Sequence, residues 1–297
     1  MAFFHGVSTR QVETSISTPV TAVSGITFIV GTAPVHMLGS EIPEGGGGAG
    51  YKNVNVPVYG GNNAEATTAL GYGDDWEKYS ICEVMYNHYR LYATSPVIFV
   101  NVLDPNKHKA TVAAAEYAVV DKRVELPLEA ISETVIVTDY AAGEDYELFY
   151  DGNTLVLEVV DGGAIPDGTT MLEIAFTKVD TSLVTKADII GGFNVTTKQT
   201  TGFELIEAVF PKYGITPDIL ICPGWSHDAE VAAIMSAKAT SINGVFEAKA
   251  LIDVDTTVVK HYADVTAWKK AQNINSKTQA LCFPMCKLSD RLFHMST

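Results

Sequence analysis

The chain has 297 residues, of which 47% are hydrophobic and 19% charged. This is the composition of a packed globular protein, it excludes extended disorder, and the length suits one large domain or two moderate ones. The 35 acidic and 20 basic residues leave a formal charge of −15, so the surface repels phosphate, which argues against general binding to nucleic acid or anionic membranes.

Residues 7–23 are rich in Thr, Ser and Val with little apolar periodicity, and they read as extended. Residues 26–30, Ile-Thr-Phe-Ile-Val, are closed by Gly31 and fit a strand covered on both faces. Residues 44–50, Glu-Gly-Gly-Gly-Gly-Ala-Gly, form a loop. A phosphate-cradling motif would end in Gly-Lys-Ser or Gly-Lys-Thr before a helix. Here Tyr51, Lys52 and Asn53 follow instead, and then an extended run over residues 54–59. Pro57 limits that run to an edge strand. Asp74 starts a predicted helix with Glu77 as capping partner, and Ile81, Val84, Met85, Tyr89 and Tyr92 share its apolar face. Residues 97–103 are a buried strand.

The period then changes to two. Residues 134–137, 146–150, 154–159 and 171–176 read as short strands, with a hairpin turn at Asp151, Gly152 and Asn153. From about Lys186 the α/β pattern resumes. Residues 203–210 are helical up to Pro211, and residues 219–222 are a buried strand. Ser226 is the expected cap of the next helix, with Asp228 and Glu230 in its first turn. Val231, Ile234 and Met235 form its core face, and Gly244 ends it. A strand within 246–254, a helix over 257–273 and a strand over 278–283 complete the pattern. Short crossovers of this kind impose a largely parallel sheet.

A search for chemistry finds little. Ser226, His227 and Asp228 sit where α/β enzymes place their sites, but adjacent residues at a helix start point in different directions and form no triad. The seven histidines show no zinc-type spacing, and His88 and His261 fall on predicted helices. Asp253 and Asp255 end a strand, and capping of the following helix from Thr257 is their expected role over acid–base pairing. Cys82 and Cys222 read as small buried hydrophobes, and Cys282 and Cys286 lack further metal ligands nearby. No cofactor and no metal is expected. Residues 1–6 lack the basic flank and apolar core of a secretory signal, and no apolar run is long enough to span a membrane. A soluble protein made in a cytoplasm is expected.

Four segments, in order, resemble the contractile-tail sheath proteins of myovirus-type phages and phage-tail-like bacteriocins. They are Phe3, Phe4, His5, Gly6 and Val7 with residues 29–34, Ile-Val-Gly-Thr-Ala-Pro; residues 219–226, Ile-Leu-Ile-Cys-Pro-Gly-Trp-Ser; residues 250–254, Ala-Leu-Ile-Asp-Val; and residues 276–284, Ser-Lys-Thr-Gln-Ala-Leu-Cys-Phe-Pro. The resemblance implies a structural, non-enzymatic subunit that stacks in hexameric rings around an inner tube and contracts to drive that tube through a cell envelope. Its implied partners are neighbouring sheath subunits, the tube protein, the baseplate and the tail terminator. Its implied place is the virion tail sheath, assembled in the host cytoplasm, with no nucleic acid bound and no membrane insertion. The family's extended arms add strands to neighbouring subunits, and Phe3, Phe4, Val7, Val12 and Ile16 are the expected arm residues here. Family members continue well past residue 297 into a region bearing tube contacts and a second arm, so the resemblance implies a chain without that region.

The expected fold is α/β (α+β): a mostly parallel sheet flanked by helices, an inserted antiparallel β domain and an extended N-terminal arm. The expected division is an arm over 1–20, a discontinuous core over 21–104 and 186–297, and an insertion over 105–185. The competing expectation is an α/β hydrolase-type enzyme with a β insertion, using Ser226 or Cys222 as nucleophile.

Overall fold

The computed structural model describes residues 24–41 and 50–297. The arm residues Phe3, Phe4, Val7, Val12 and Ile16, and nearly all of the 44–50 glycine loop, lie outside the described residues.

The first strand, β1 (Thr27–Gly31), is buried along its whole length. Its alternate side chains feed two separate apolar clusters: Phe28 and Val30 pack into one, Ile29 into the other. A strand covered on both faces needs apolar residues at every position, which is why this run shows no alternation. β2 (Pro57–Gly60) follows, then α1 (Asn63–Leu70), whose cap Asn62 accepts from the Glu65 N–H. Helix α2 (Ser80–Met85) runs on into a π turn over Tyr86–Leu91. This helix starts six residues later than Asp74. Asp74 is drawn away by other partners: its carboxylate accepts from Asn153 Nδ2 and Arg291, and its N–H donates to Asn153 Oδ1. β3 (Val97–Asn101) is fully buried.

Six strands follow between residues 109 and 179: β4 (Lys109–Ala118), β5 (Arg123–Pro127), β6 (Ile136–Val137), β7 (Tyr146–Asp151), β8 (Thr154–Val159) and β9 (Met171–Val179). They make two three-stranded antiparallel sheets, ordered β5-β8-β7 and β4-β9-β6, around their own apolar cluster of Val124, Leu126, Leu155, Leu157, Ile174 and others. Among the described residues neither sheet pairs with the main one. Lys109 lies opposite Val179 in the ladder, so the chain enters and leaves this region side by side. The hairpin joining β7 to β8 turns on Gly152 and Asn153, with Asp151 opposite Thr154. The sequence reading assigns no strand to β4 or β5, although Val124 and Leu126 alternate inward along β5. β4 is mostly exposed on both faces, so burial imposes no alternation on it.

The α/β pattern returns with α3 (Lys186–Ile190), closed by a capping box between Thr185 and Asp188. A 3-10 stretch over Gly202–Ala208 leads into α4 (Val209–Tyr213). Pro211 does not stop this helix. It stands in the first turn, where the missing N–H has no helical partner to lose, and Gly214 at φ 69° ends the helix. β10 (Ile219–Ile221), α5 (Ala229–Thr240), β11 (Lys249–Asp253), α6 (Val265–Ala271) and β12 (Gln279–Cys282) complete the core. The helix expected over 257–273 is confined to α6 and a 3-10 turn at Tyr262–Asp264, and His261 lies before that turn, exposed. A hairpin of β13 (Cys286–Leu288) and β14 (Arg291–Phe293) ends the described chain.

The main sheet has the order β12-β11-β10-β1-β3-β2. All its pairings are parallel except β2 with β3. Pro57 accordingly sits on the edge strand, as its missing N–H requires. The structure is thus a mixed α/β fold with a mostly parallel six-stranded sheet and separate small antiparallel sheets.

Candidate functional site

In an open parallel sheet the carboxyl ends of the strands form the natural crevice. Here that end gathers the polar residues singled out in the sequence, but in other roles. Ser226 is fully buried and does not cap α5. The cap is Asp228, whose Oδ1 accepts from the N–H groups of Glu230 and Val231 at 2.8 and 3.3 Å. The turn after β10 directs Ser226 inward instead, against the end of β11. Its Oγ accepts from the Asp253 N–H at 3.0 Å and donates to Asp253 Oδ2 at 3.2 Å.

Asp253 is 6% exposed and does not cap the segment from Thr257. Asp255 alone does that, accepting from the Thr257 N–H and hydroxyl. The Asp253 carboxylate accepts from Ser226, from the Ser296 N–H at 3.1 Å and from the Ser296 hydroxyl at 2.6 Å. Burial pushes its pKa up, and the charge of His294 and the Ser296 hydrogen bonds offset only part of that rise.

Glu83, on α2, is the second buried carboxylate at this end, 2% exposed. It accepts from the His294 N–H, and His294 Nδ1 lies 3.0 and 3.2 Å from its two oxygens. His294 Nε2 accepts from the Gly224 N–H at 3.2 Å. Thr297 Oγ1 accepts from Asn87 Nδ2 at 2.6 Å and donates to the His294 carbonyl. The apolar anchor beside these contacts is Phe293, 6% exposed and packed into the main cluster. Arg291 lies 4.9 Å over the Trp76 ring and pairs with Asp74 at 2.9 Å. Residues 291–297 therefore lie across the crevice and satisfy both of its carboxylates. A carboxylate that stays buried without its donors costs about 3–5 kcal/mol, so the docked segment stabilises this end of the sheet.

Neither candidate nucleophile is set up for attack. The Ser226 hydroxyl bonds directly to a carboxylate, and no hydrogen bond links it to a histidine among the described residues. The Cys222 thiol is fully buried and donates to the Val30 carbonyl, and burial with the nearby Asp253 charge raises its pKa well above the usual range. No group of three or more His, Cys, Asp or Glu residues with metal-site geometry occurs among the described residues. Sequence reasoning missed Glu83, His294 and Ser296. Glu83 did carry a signal, because an acid inside the run Ile81, Cys82, Val84, Met85 is buried with its neighbours and needs a partner.

A tail sheath protein of Burkholderia phage BcepMu is 29% identical to this chain over 302 aligned positions. The match covers 97% of this chain. The chain is homologous to a phage tail sheath protein. It spans 57% of the length of that relative. No protein-family model matches the chain.

Proposed function

We propose that the chain is a structural subunit of a contractile tail sheath, polymerising as stacked hexameric rings around an inner tube and contracting to drive the tube through a cell envelope. The observation that carries this reading is the homology to a tail sheath protein along 97% of the chain. Two features support it. The crevice that would house an active site is occupied by residues 291–297, and among the described residues the strands between 109 and 179 pair only with one another, as an insertion on the outside of a particle would.

In this reading residues 105–185 are an outer β domain inserted into a core of 21–104 and 186–297. Residues 1–20 are an arm that adds a strand to a neighbouring subunit through Phe3, Phe4, Val7, Val12 and Ile16. Strand addition satisfies the open N–H and C=O groups of an extended segment that has too few apolar residues to anchor on its own core. The partners are other sheath subunits, the tube, the baseplate and the tail terminator, and the place is the virion tail.

Electron microscopy of the expressed protein tests the reading. Tubular or ring-shaped polymers are expected, alone or on addition of tube protein. Monomers that turn over an ester or amide substrate, with turnover abolished by Ser226→Ala, would replace it with the hydrolase reading. Deleting residues 1–18 should leave a folded subunit that no longer assembles, and tubes formed by the deleted protein would refute the arm assignment.

A further inference from the structure

Residues 291–297 cross the carboxyl end of the sheet and meet two buried carboxylates from different elements, Glu83 of α2 and Asp253 of β11. Among the described residues neither carboxylate has a Lys or Arg ion pair. Among the described residues the one titratable cation in reach is His294. With that imidazole neutral and both acids ionised, two net negative charges lie out of water. A proton on His294 reduces them to one. Once the segment lifts away, Glu83 and Asp253 face water and His294 titrates as an ordinary imidazole. The docked state therefore binds this proton more tightly than the open state does.

We propose that His294 makes residues 291–297 a proton-dependent latch over the carboxyl end of the sheet, docked more tightly as the pH falls toward 6.

The polar geometry fits both ionisation states but favours the charged one. In the neutral form Nδ1–H donates to Glu83 and Nε2 accepts from the Gly224 N–H. Protonation surrenders the Gly224 contact, which lies at the exposed rim, where water replaces it. In exchange Nδ1–H···Glu83 becomes an ion pair, one partner of which is 2% exposed. Burial alone would lower the His294 pKa, but the hydrogen bond to Glu83 and the charges of Glu83 and Asp253 more than offset it, and the pKa lies above the usual 6.5.

The other titratable groups at this end do not compete. The thiols of Cys222, after β10, and Cys282, on β12, are held protonated by burial, Cys282 pushed up to about 11. Asp255 is turned to Thr257 and lies in the field of His227. Asp74 is neutralised by Arg291. For a base whose docked pKa is raised, the stabilisation is complete below the free value of 6.5 and is lost as the pH rises through the docked value. Phe293 supplies the part of the docking that does not depend on pH. The inference does not rest on the sheath reading.

Amide hydrogen exchange on the full chain tests it. The reporters are the N–H groups of His294 and Ser296, which donate to Glu83 and Asp253. After correction for intrinsic exchange rates, their protection should fall as the pH rises from about 6.5 through the docked value of His294, by up to about tenfold per pH unit. Core amides of β1 should keep theirs. His294→Gln keeps a donor toward Glu83 and cannot take up the proton, so its protection should be flat over this range. Protection that is constant with pH in the unsubstituted chain, or a slope that survives in His294→Gln, overturns the proposal. Should the variant fail to fold, an NMR titration of the His294 ring in the unsubstituted chain decides: a pKa at or below 6.5 overturns it.

Discussion

Replacing Ser226 and Asp228 separately by alanine distinguishes a buried bracket from a helix cap. Ser226 Oγ is the acceptor for the Asp253 N–H and a donor to its carboxylate, at a position with no solvent exposure. Ser226→Ala leaves that N–H with no partner, and a buried unsatisfied donor costs about 1–3 kcal/mol. It also removes one of the donors that hold the Asp253 carboxylate, and a hydrogen bond to a charged group is worth about 1.5–3 kcal/mol. The two losses share one hydroxyl and one residue, so they do not add fully, and a total of about 2–4 kcal/mol is expected. Asp228→Ala removes a half-buried cap and should cost about 1 kcal/mol. Urea unfolding followed by tryptophan fluorescence measures both, since Trp225 adjoins the site and Trp268 and Trp76 are core residues. At an unchanged m-value the shift in midpoint reads the difference directly. A Ser226→Ala loss near 1 kcal/mol or below, with Asp228→Ala neutral, would show that Ser226 acts as the cap and that the buried bracket is wrong.

His36 is buried with Nε2 at 2.7 Å from the Leu128 carbonyl and with no partner on Nδ1 among the described residues, and burial lowers its pKa to about 4. The unfolded chain takes up this proton near pH 6.5, so the His36 contribution to stability should be full above 6.5 and fall by about 3 kcal/mol on going down to pH 4, and His36→Gln should make that part of the profile shallower in urea midpoints measured across the range, with buried His88 adding a fall of the same sign. Gly191 has φ 69°, and a Cβ there would sit 1.9 Å from the Thr201 carbonyl oxygen; Gly191→Ala should cost more than about 3 kcal/mol or prevent folding, and a thermal midpoint unchanged within 2 °C would contradict this close approach. Replacing residues 109–179 by a short glycine-containing turn should leave a folded α/β core, because Lys109 and Val179 are ladder partners. The core loses its contacts with Leu128, Ile131 and Val179, so reduced stability with retained helical circular dichroism is expected, and an unfolded product would show that the two parts fold only together.

Much of this architecture is legible in the order of residues alone. The unbroken apolar runs that became β1, β3 and β10 mark strands covered on both faces, because each position must meet a hydrophobic neighbour. Pro57 marks the sheet edge because proline lacks a ladder donor, and Gly152 with Asn153 marks a hairpin because the tight turn needs a positive φ, 56° at Gly152. These are consequences of burial period and allowed dihedrals, which act within a few residues. Other choices are made between distant parts of the chain. Glu83 and His294 are 211 positions apart, and Ser296 and Asp253 are 43 apart. Nothing near Asp74 tells that Asn153 and Arg291 will take its carboxylate and delay the helix to Ser80. The same holds for Ser226, whose composition and position suit a cap as well as they suit a bracket. Which of two nearby oxygens caps α5 is decided by the end of β11, where a buried N–H and carboxylate need a hydroxyl and Asp228 remains free for the helix. A capping pattern specifies that some side chain will satisfy the first turn; the need to satisfy every polar group buried in the crevice specifies which one.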